Sequence, residues 1–189
     1  MLRHAEPVMG TVFSITVRDP GPGTPVVLER ITERLHRIDT VFSTYRPDSD
    51  ISRLDRGDLA PDDCDPEVGT VLAACRAVAA ETDGYFSERP GGRLDPSGWV
   101  KGWAVQQAAD LLRGSGARQY CVSGGGDVQT VGGPWRIGIA DPRRPGLLAA
   151  VLAGHDLTGS TAPSRPSVPV TGPHAPSAAA RCCRPPAAA

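Results

Sequence analysis

The chain has 189 residues, 40% of them hydrophobic, and its 20 Lys and Arg nearly balance 21 Asp and Glu to leave a formal net charge of -1. This is the composition of an ordinary globular chain, and without a Lys/Arg cluster it argues against nucleic acid or an anionic membrane as the main partner. No stretch approaches the roughly 20 apolar residues of a membrane span, and the opening Met1 to Pro7 has no apolar run of signal-peptide length, so the chain as given is expected in the cytoplasm. Five cysteines, Cys64, Cys75, Cys121, Cys182 and Cys183, form no CxxC pair and no paired Cys/His spacing, which signals neither a structural zinc nor a disulfide framework.

Thr11 to Val17 sets Thr11, Phe13, Ile15 and Val17 on one face and Val12, Ser14 and Thr16 on the other, the pattern of a half-buried strand. The Asp-Pro-Gly-Pro-Gly run at 19–23 ends it. From Val26 the residues Leu28, Ile31, Leu35, Ile38 and Phe42 recur at helical spacing and predict a long core-facing helix. Glu67 to Thr82, with Val71, Leu72, Cys75, Val78 and Ala79, predicts a second helix stopped by Gly84. Val100 to Leu112 predicts a third, with Ala104, Ala108, Leu111 and Leu112 inward. Short strands are expected at 119–122, 127–131, 135–139 and 148–152, between Gly and Pro turns. The fold class is therefore α+β, with helices packed on a largely antiparallel sheet. After Asp156 prolines recur among Ser, Thr and Ala, so the expected organisation is a domain over 1–156 and a disordered tail over 157–189.

Three segments carry residue types suited to chemistry. Gly91 to Gly102 is a loop running into a helix, where Gly98 and Gly102 permit close approach and Lys101 adds a positive charge near helix N–H groups that can hold a phosphate. The alternative is a turn in which Asp95 or Ser97 caps the helix. Ser123-Gly124-Gly125-Gly126-Asp127 can admit a flat ring or a phosphate, or be a plain glycine hairpin. It is neither a P-loop nor a dinucleotide fingerprint. Ser43 to Leu54 offers Tyr45 for stacking and Arg46 for a phosphate, or simply a loop in which Asp50 caps a short helix around Ser52.

Taken in order, Met9-Gly10-Thr11, Phe42 through Ser52, Asp95-Pro96-Ser97-Gly98-Trp99-Val100-Lys101-Gly102, Gly125-Gly126-Asp127 and Trp135-Arg136-Ile137-Gly138-Ile139 resemble the successive signatures of the FAD:protein FMN transferases, the ApbE family. The resemblance covers residues 7–155. It implies a T-fold-like domain that binds FAD, holds Mg2+ at the pyrophosphate and transfers FMN onto a Thr or Ser hydroxyl of a target flavoprotein, releasing AMP. Carried over by position, Met9 and Tyr45 contact flavin, Asp95 and Lys101 bind FAD, and Gly98 offers its backbone carbonyl to the metal. Tyr85, Phe86 and Ser87 correspond to another FAD-contacting segment, with Ser87 standing where the family usually has Asp.

Downstream the resemblance lapses. Val168 to His174 puts a proline where the family's catalytic His is expected and Gly172 where its Asp is expected, and neither His155 nor His174 falls in register. The family's catalytic His and Asp positions are not retained on this reading, and the tail is expected to be a truncated or frameshifted remnant with impaired chemistry. The expected function is then an impaired FMN transferase. The alternatives are a non-catalytic FAD-binding remnant or flavin carrier, or an interaction domain in which the glycine loops are only turns.

Overall fold

The computed structural model describes residues 1–160. Strands β1 (Leu2–Val8) and β2 (Thr11–Val17) form a hairpin. The helices α1 (Thr24–Phe42), α2 (Asp50–Arg56), α3 (Pro66–Glu81) and α4 (Ser97–Gly114) follow, and then β3 (Tyr120–Gly124), β4 (Asp127–Val131), β5 (Trp135–Ala140), β6 (Leu148–Gly154) and β7 (Thr158–Ser160). The main sheet has the order β1-β2-β3-β4-β7, and β5 and β6 make a separate two-stranded ribbon. Every pairing is antiparallel.

The expected apolar faces meet in one core. Phe13, Ile15 and Val17 of β2 pack with Leu28, Ile31, Leu35, Ile38 and Phe42 of α1, with Val100, Ala104, Ala108 and Leu112 of α4, and with Tyr120 and Val122 of β3. Each buried Ile or Phe contributes about 1.5–3 kcal/mol over its exposed state, so the α1–sheet–α4 contact is the main source of stability here. Leu111 of α4 and Leu72 of α3 lie at the margin of that core, and Val78 and Ala79 are half-buried. The opposite face of the sheet is covered by the ribbon: Cys121 and Val128 pack with Trp135, Ile137 and Leu157. Arg18 ties the two layers, its guanidinium carbon 3.8 Å from the Trp135 ring centroid and its Nη1 donating to Pro134 O at 2.9 Å.

Polar groups fix the smaller elements. Asp65 caps α3 by accepting from Glu67 N–H at 2.9 Å, with Pro66 pre-set for the first turn, and Arg34 of α1 grips Glu67 with Nη1 and Nη2. Strand β1, which the sequence pattern does not announce, turns polar groups toward α1. His4 Nε2 shares a 3.0 Å hydrogen bond with Thr32, and His36 Nε2 lies 2.8 Å from Glu6 Oε1. Helix α2 is capped by Ser49, whose hydroxyl accepts from Ser52 N–H at 3.1 Å, and not by Asp50. Asp50 instead accepts from Asp65 N–H at 2.7 Å, which turns its carboxylate away from its own helix.

Thr158–Ser160 pairs with β4 as Gln129↔Thr158 and Asp127↔Ser160. The expectations made on residues 161–189, including the Val168 to His174 stretch, Cys182 and Cys183, lie outside the described residues. Among the described residues no helix is long and apolar enough to cross a membrane.

Candidate functional site

Two tight turns close the same end of the main sheet. Ser14 pairs with Ser123, so continuing that register toward the start of β2 and the end of β3 sets the Met9–Gly10 turn beside the Gly125–Gly126 turn. All four turn residues have positive φ: Met9 at 53°, Gly10 at 67°, Gly125 at 63° and Gly126 at 101°. Paired left-handed residues match the twist of a two-residue hairpin. Three of them are glycines, for which the conformation is inexpensive. For Met9, a bulky side chain, it costs about 1–2 kcal/mol.

Helix α4 lays its first turns against that end. Lys101 runs its alkyl chain across Gly125, where an added β-carbon would lie 2.6 Å from Lys101 Cδ. Asp127 sits against Gly102, its Oδ2 3.4 Å from the β-carbon a larger residue would carry there. Phe86 meets Gly98 in the same way at 3.3 Å. Beneath the hairpin, a β-carbon on Gly124 would lie 2.4 Å from the buried Phe13 ring, so the glycine is required for strand and ring to pack. The loop of Phe86, the start of α4 and the glycine hairpin therefore form one continuous cradle.

The amino end of α4 suits an anion. The first turn of α4 contains no acidic residue, its N–H groups carry the positive end of the helix dipole, and Lys101 stands one turn inside. Lys101 is also the only lysine of the chain, every other basic residue among the 20 Lys and Arg being arginine. Asp95 stands two positions before the first helical residue. Its Oδ1 accepts from Ser97 N–H at 3.0 Å, while its own N–H donates to Glu88 O at 2.7 Å. The residue at the cap position is Pro96, without a side-chain cap, so Asp95 acts one position earlier than a cap and Ser97 is already helical.

The Tyr45 loop approaches from α1. Phe42 meets Trp103 of α4 edge to face, with ring centroids 5.6 Å apart, which packs the end of α1 on the face of α4 opposite Lys101. Tyr45 itself is 88% exposed, and Arg46 is engaged with Asp48 at 3.1 Å. The Asp48 carboxyl is held below its ordinary value by a backbone hydrogen bond and then by Arg46. Tyr85 is equally exposed, and Ser87 closes a local turn by accepting from Arg89 N–H at 3.0 Å. The structure thus gathers Phe86, Gly98 and Lys101 at the cradle and places Met9 at the same sheet end. Tyr85, Ser87 and Asp95 lie on the loop that leads into it, and Tyr45 lies on the loop that follows α1.

Asp127, the last residue of the glycine segment read from the sequence, thus lies at the cradle. One carboxylate that the sequence pattern does not single out stands behind it: Asp55 accepts from Leu94 N–H at 2.8 Å in the loop that leads to Asp95, and nothing local to Asp55 signals that partnership.

Magnesium is the ion implied by the family resemblance. Among the described residues no group of three or more His, Cys, Asp or Glu gathers to hold a metal. Gly98 brings only a carbonyl on an established helix, and one such oxygen is far from the six to eight, or octahedral six, that hard divalent cations require. The described residues alone do not make a magnesium site.

The ApbE family model matches residues 9–88 and 86–164, from the first hairpin turn through β7. The chain belongs to the ApbE family. It is 23% identical to the FAD:protein FMN transferase of Vibrio cholerae serotype O1, over 72% of this chain and 58% of that protein. The ApbE match therefore spans little more than half the length of this curated relative. Solved structures share the fold. The flavin transferase ApbE of Vibrio cholerae superposes with a TM-score of 0.67 at 21% identity, covering 82% of this chain and 69% of that one. The ApbE protein of Thermotoga maritima gives 0.70 at 20% identity, covering 83% and 68%. The apo form of the Pseudomonas stutzeri flavinyl transferase ApbE gives 0.65 at 22% identity, covering 82% and 65%.

Proposed function

We propose that this chain carries the FAD-binding part of an FAD:protein FMN transferase, an enzyme that moves FMN from FAD onto a Thr or Ser hydroxyl of a target flavoprotein. The observation that carries the reading is the cradle: Lys101 and the amino end of α4 facing the Gly125–Gly126 hairpin inside the matched family region. In the reaction the hydroxyl oxygen bonds to the FMN phosphorus, the bond from that phosphorus to the bridging oxygen breaks, AMP leaves with the bridging oxygen, and the hydroxyl proton passes to a base or to water.

This chain's part is to bind and orient. Lys101 and the α4 N–H groups offset pyrophosphate charge, Asp95 holds the entry to that helix, and Met9, Tyr45 and the Tyr85–Phe86–Ser87 segment border the rings. The Mg2+ that the family resemblance implies belongs to the same proposal, with the Gly98 carbonyl as one ligand and the rest supplied by the pyrophosphate, water or groups beyond the described residues. When bound it would neutralise charge on the transferring group.

A second reading, a flavin carrier that binds FAD without transferring FMN, rests on the sequence at 168–174, which does not carry the family's His and Asp in register. Titration of the purified chain with FAD, with and without Mg2+, followed by in-gel fluorescence of an acceptor peptide, separates the two. Binding with covalent labelling supports the transferase. Binding without labelling supports the carrier, and no binding sinks both.

A further inference from the structure

Helix α2 touches both the Tyr45 loop and the loop that leads into the cradle. At its amino end Ser49 Oγ and Ser52 Oγ donate to Ser43 O at 2.6 and 3.3 Å, fixing the start of the Tyr45 loop. Arg56 Nη2 donates to Pro47 O in the same loop at 2.9 Å. Toward its carboxyl end Asp55, with a side chain only 16% exposed, accepts from Leu94 N–H at 2.8 Å. The same carboxylate receives Arg89 at 3.5 Å and Arg93 at 3.7 Å. One N–H donor and two guanidinium groups from one loop converge on one largely buried carboxylate, and the chain continues directly from Leu94 into Asp95 and α4.

We propose that α2 is a bracket that sets the distance between the Tyr45 loop and the Asp95 loop, with Asp55 as the positioning residue for the phosphate end. This rests on the flavin-binding reading for its consequence, though not for its mechanics. A ligand that spans both loops, with rings at one end and a pyrophosphate at the other, binds well only if the loops stand at a fixed separation. A seven-residue helix tied at both ends supplies that rigidity. Asp55 touches neither ligand nor reacting atoms and acts through Leu94 and Asp95.

The test uses the full chain. In Asp55→Ala, amide hydrogen exchange over residues 88–95 is expected to rise by about tenfold or more, as for loss of a charged, partly buried hydrogen bond, while α4 beyond Trp103 keeps its protection. The Kd for ADP is expected to rise by a similar factor, and that for riboflavin to change little. Asp55→Asn retains an acceptor for Leu94 N–H and is expected to recover most of both effects. If exchange over 88–95 is unchanged, or if it rises uniformly through α4, the bracket is wrong. Should Asp55→Ala fail to fold, Asp55→Leu, which fills the volume but offers Leu94 N–H no acceptor, decides: it must raise exchange over 88–95 and the Kd for ADP, and wild-type values for both overturn the proposal. A wild-type chain that binds no FAD removes the functional reading while the exchange result still judges the bracket.

Discussion

Lys101 lies across Gly125 so closely that a β-carbon on the glycine would stand 2.6 Å from Lys101 Cδ. A lysine whose alkyl chain is pressed against the backbone carries its ammonium to one place, which a free surface lysine does not. Gly125→Ala is therefore expected to act twice. It strains a residue at φ 63° and pushes Lys101 out of the cradle, lowering stability by about 1–2 kcal/mol and weakening FAD binding. Chemical denaturation and FAD titration measure the two effects, and full FAD affinity in the variant would show that Lys101 need not be placed there.

Because Lys101 is the sole lysine, amine-directed reductive methylation can reach one ε-amine. Saturating FAD is expected to protect it, read by peptide mass spectrometry with the amino terminus as internal control. Lys101→Arg should not restore binding in full, since a planar guanidinium does not follow the course of a compact ammonium over Gly125. Equal labelling with and without FAD would place the ligand elsewhere.

Asp95 combines a charge with a structural bond to Ser97 N–H. Asp95→Ala removes both and is expected to weaken FAD binding and to destabilise the start of α4 by about 0.5–1.5 kcal/mol. Asp95→Asn keeps an acceptor for Ser97. If Asp95→Asn binds FAD like wild type while Asp95→Ala does not, the residue acts by shaping the turn. If both lose affinity, its charge takes part.

How far the sequence discloses this site depends on the kind of contact involved. The core faces of β2, α1 and α4 follow from periodicity because apolar burial leaves a repeat of two or 3.6 residues. Strand β1 leaves no such repeat, since its inward positions His4 and Glu6 meet Thr32 and His36 by hydrogen bonds. The glycine runs mark where something approaches the backbone, yet not what, and the answer is partly the protein itself: Phe13 under Gly124, Lys101 over Gly125, Phe86 beside Gly98. Asp55 was invisible for a different reason. Its partner Leu94 lies 39 residues away, and a side chain bonding a remote main-chain N–H imposes no pattern on either segment.

Tyr120 is fully buried in β3, with its hydroxyl donating to Ala109 O in α4 at 3.0 Å. This bond joins sheet and helix behind the cradle, and burial raises the phenol above its ordinary value, so it stays protonated as a donor. Tyr120→Phe is expected to cost about 0.5–1.5 kcal/mol in denaturation, with FAD affinity little changed, because the ring packing survives. A much larger loss would mean that the hydroxyl fixes the α4 orientation on which the cradle depends.

Cys75 supplies the pH prediction. Its thiol lies fully buried in α3, and burial, reinforced by the negative Glu88, pushes it from 9.0 up to about 11. Below pH 9 the thiol is neutral whether the chain is folded or not, and its contribution to stability is fully present. As pH rises past 9 the unfolded chain releases this proton and is stabilised, while the folded chain retains it until about 11, so folding stability is lost across that window. Denaturation midpoints measured from pH 8 to 10.5 are expected to fall with rising pH. Cys75→Ala, although less stable at pH 8 because it leaves a small cavity, is expected to show a shallower decline. Parallel slopes for the two proteins would assign the loss to other groups and show that the folded thiol ionises as readily as a solvent-exposed one.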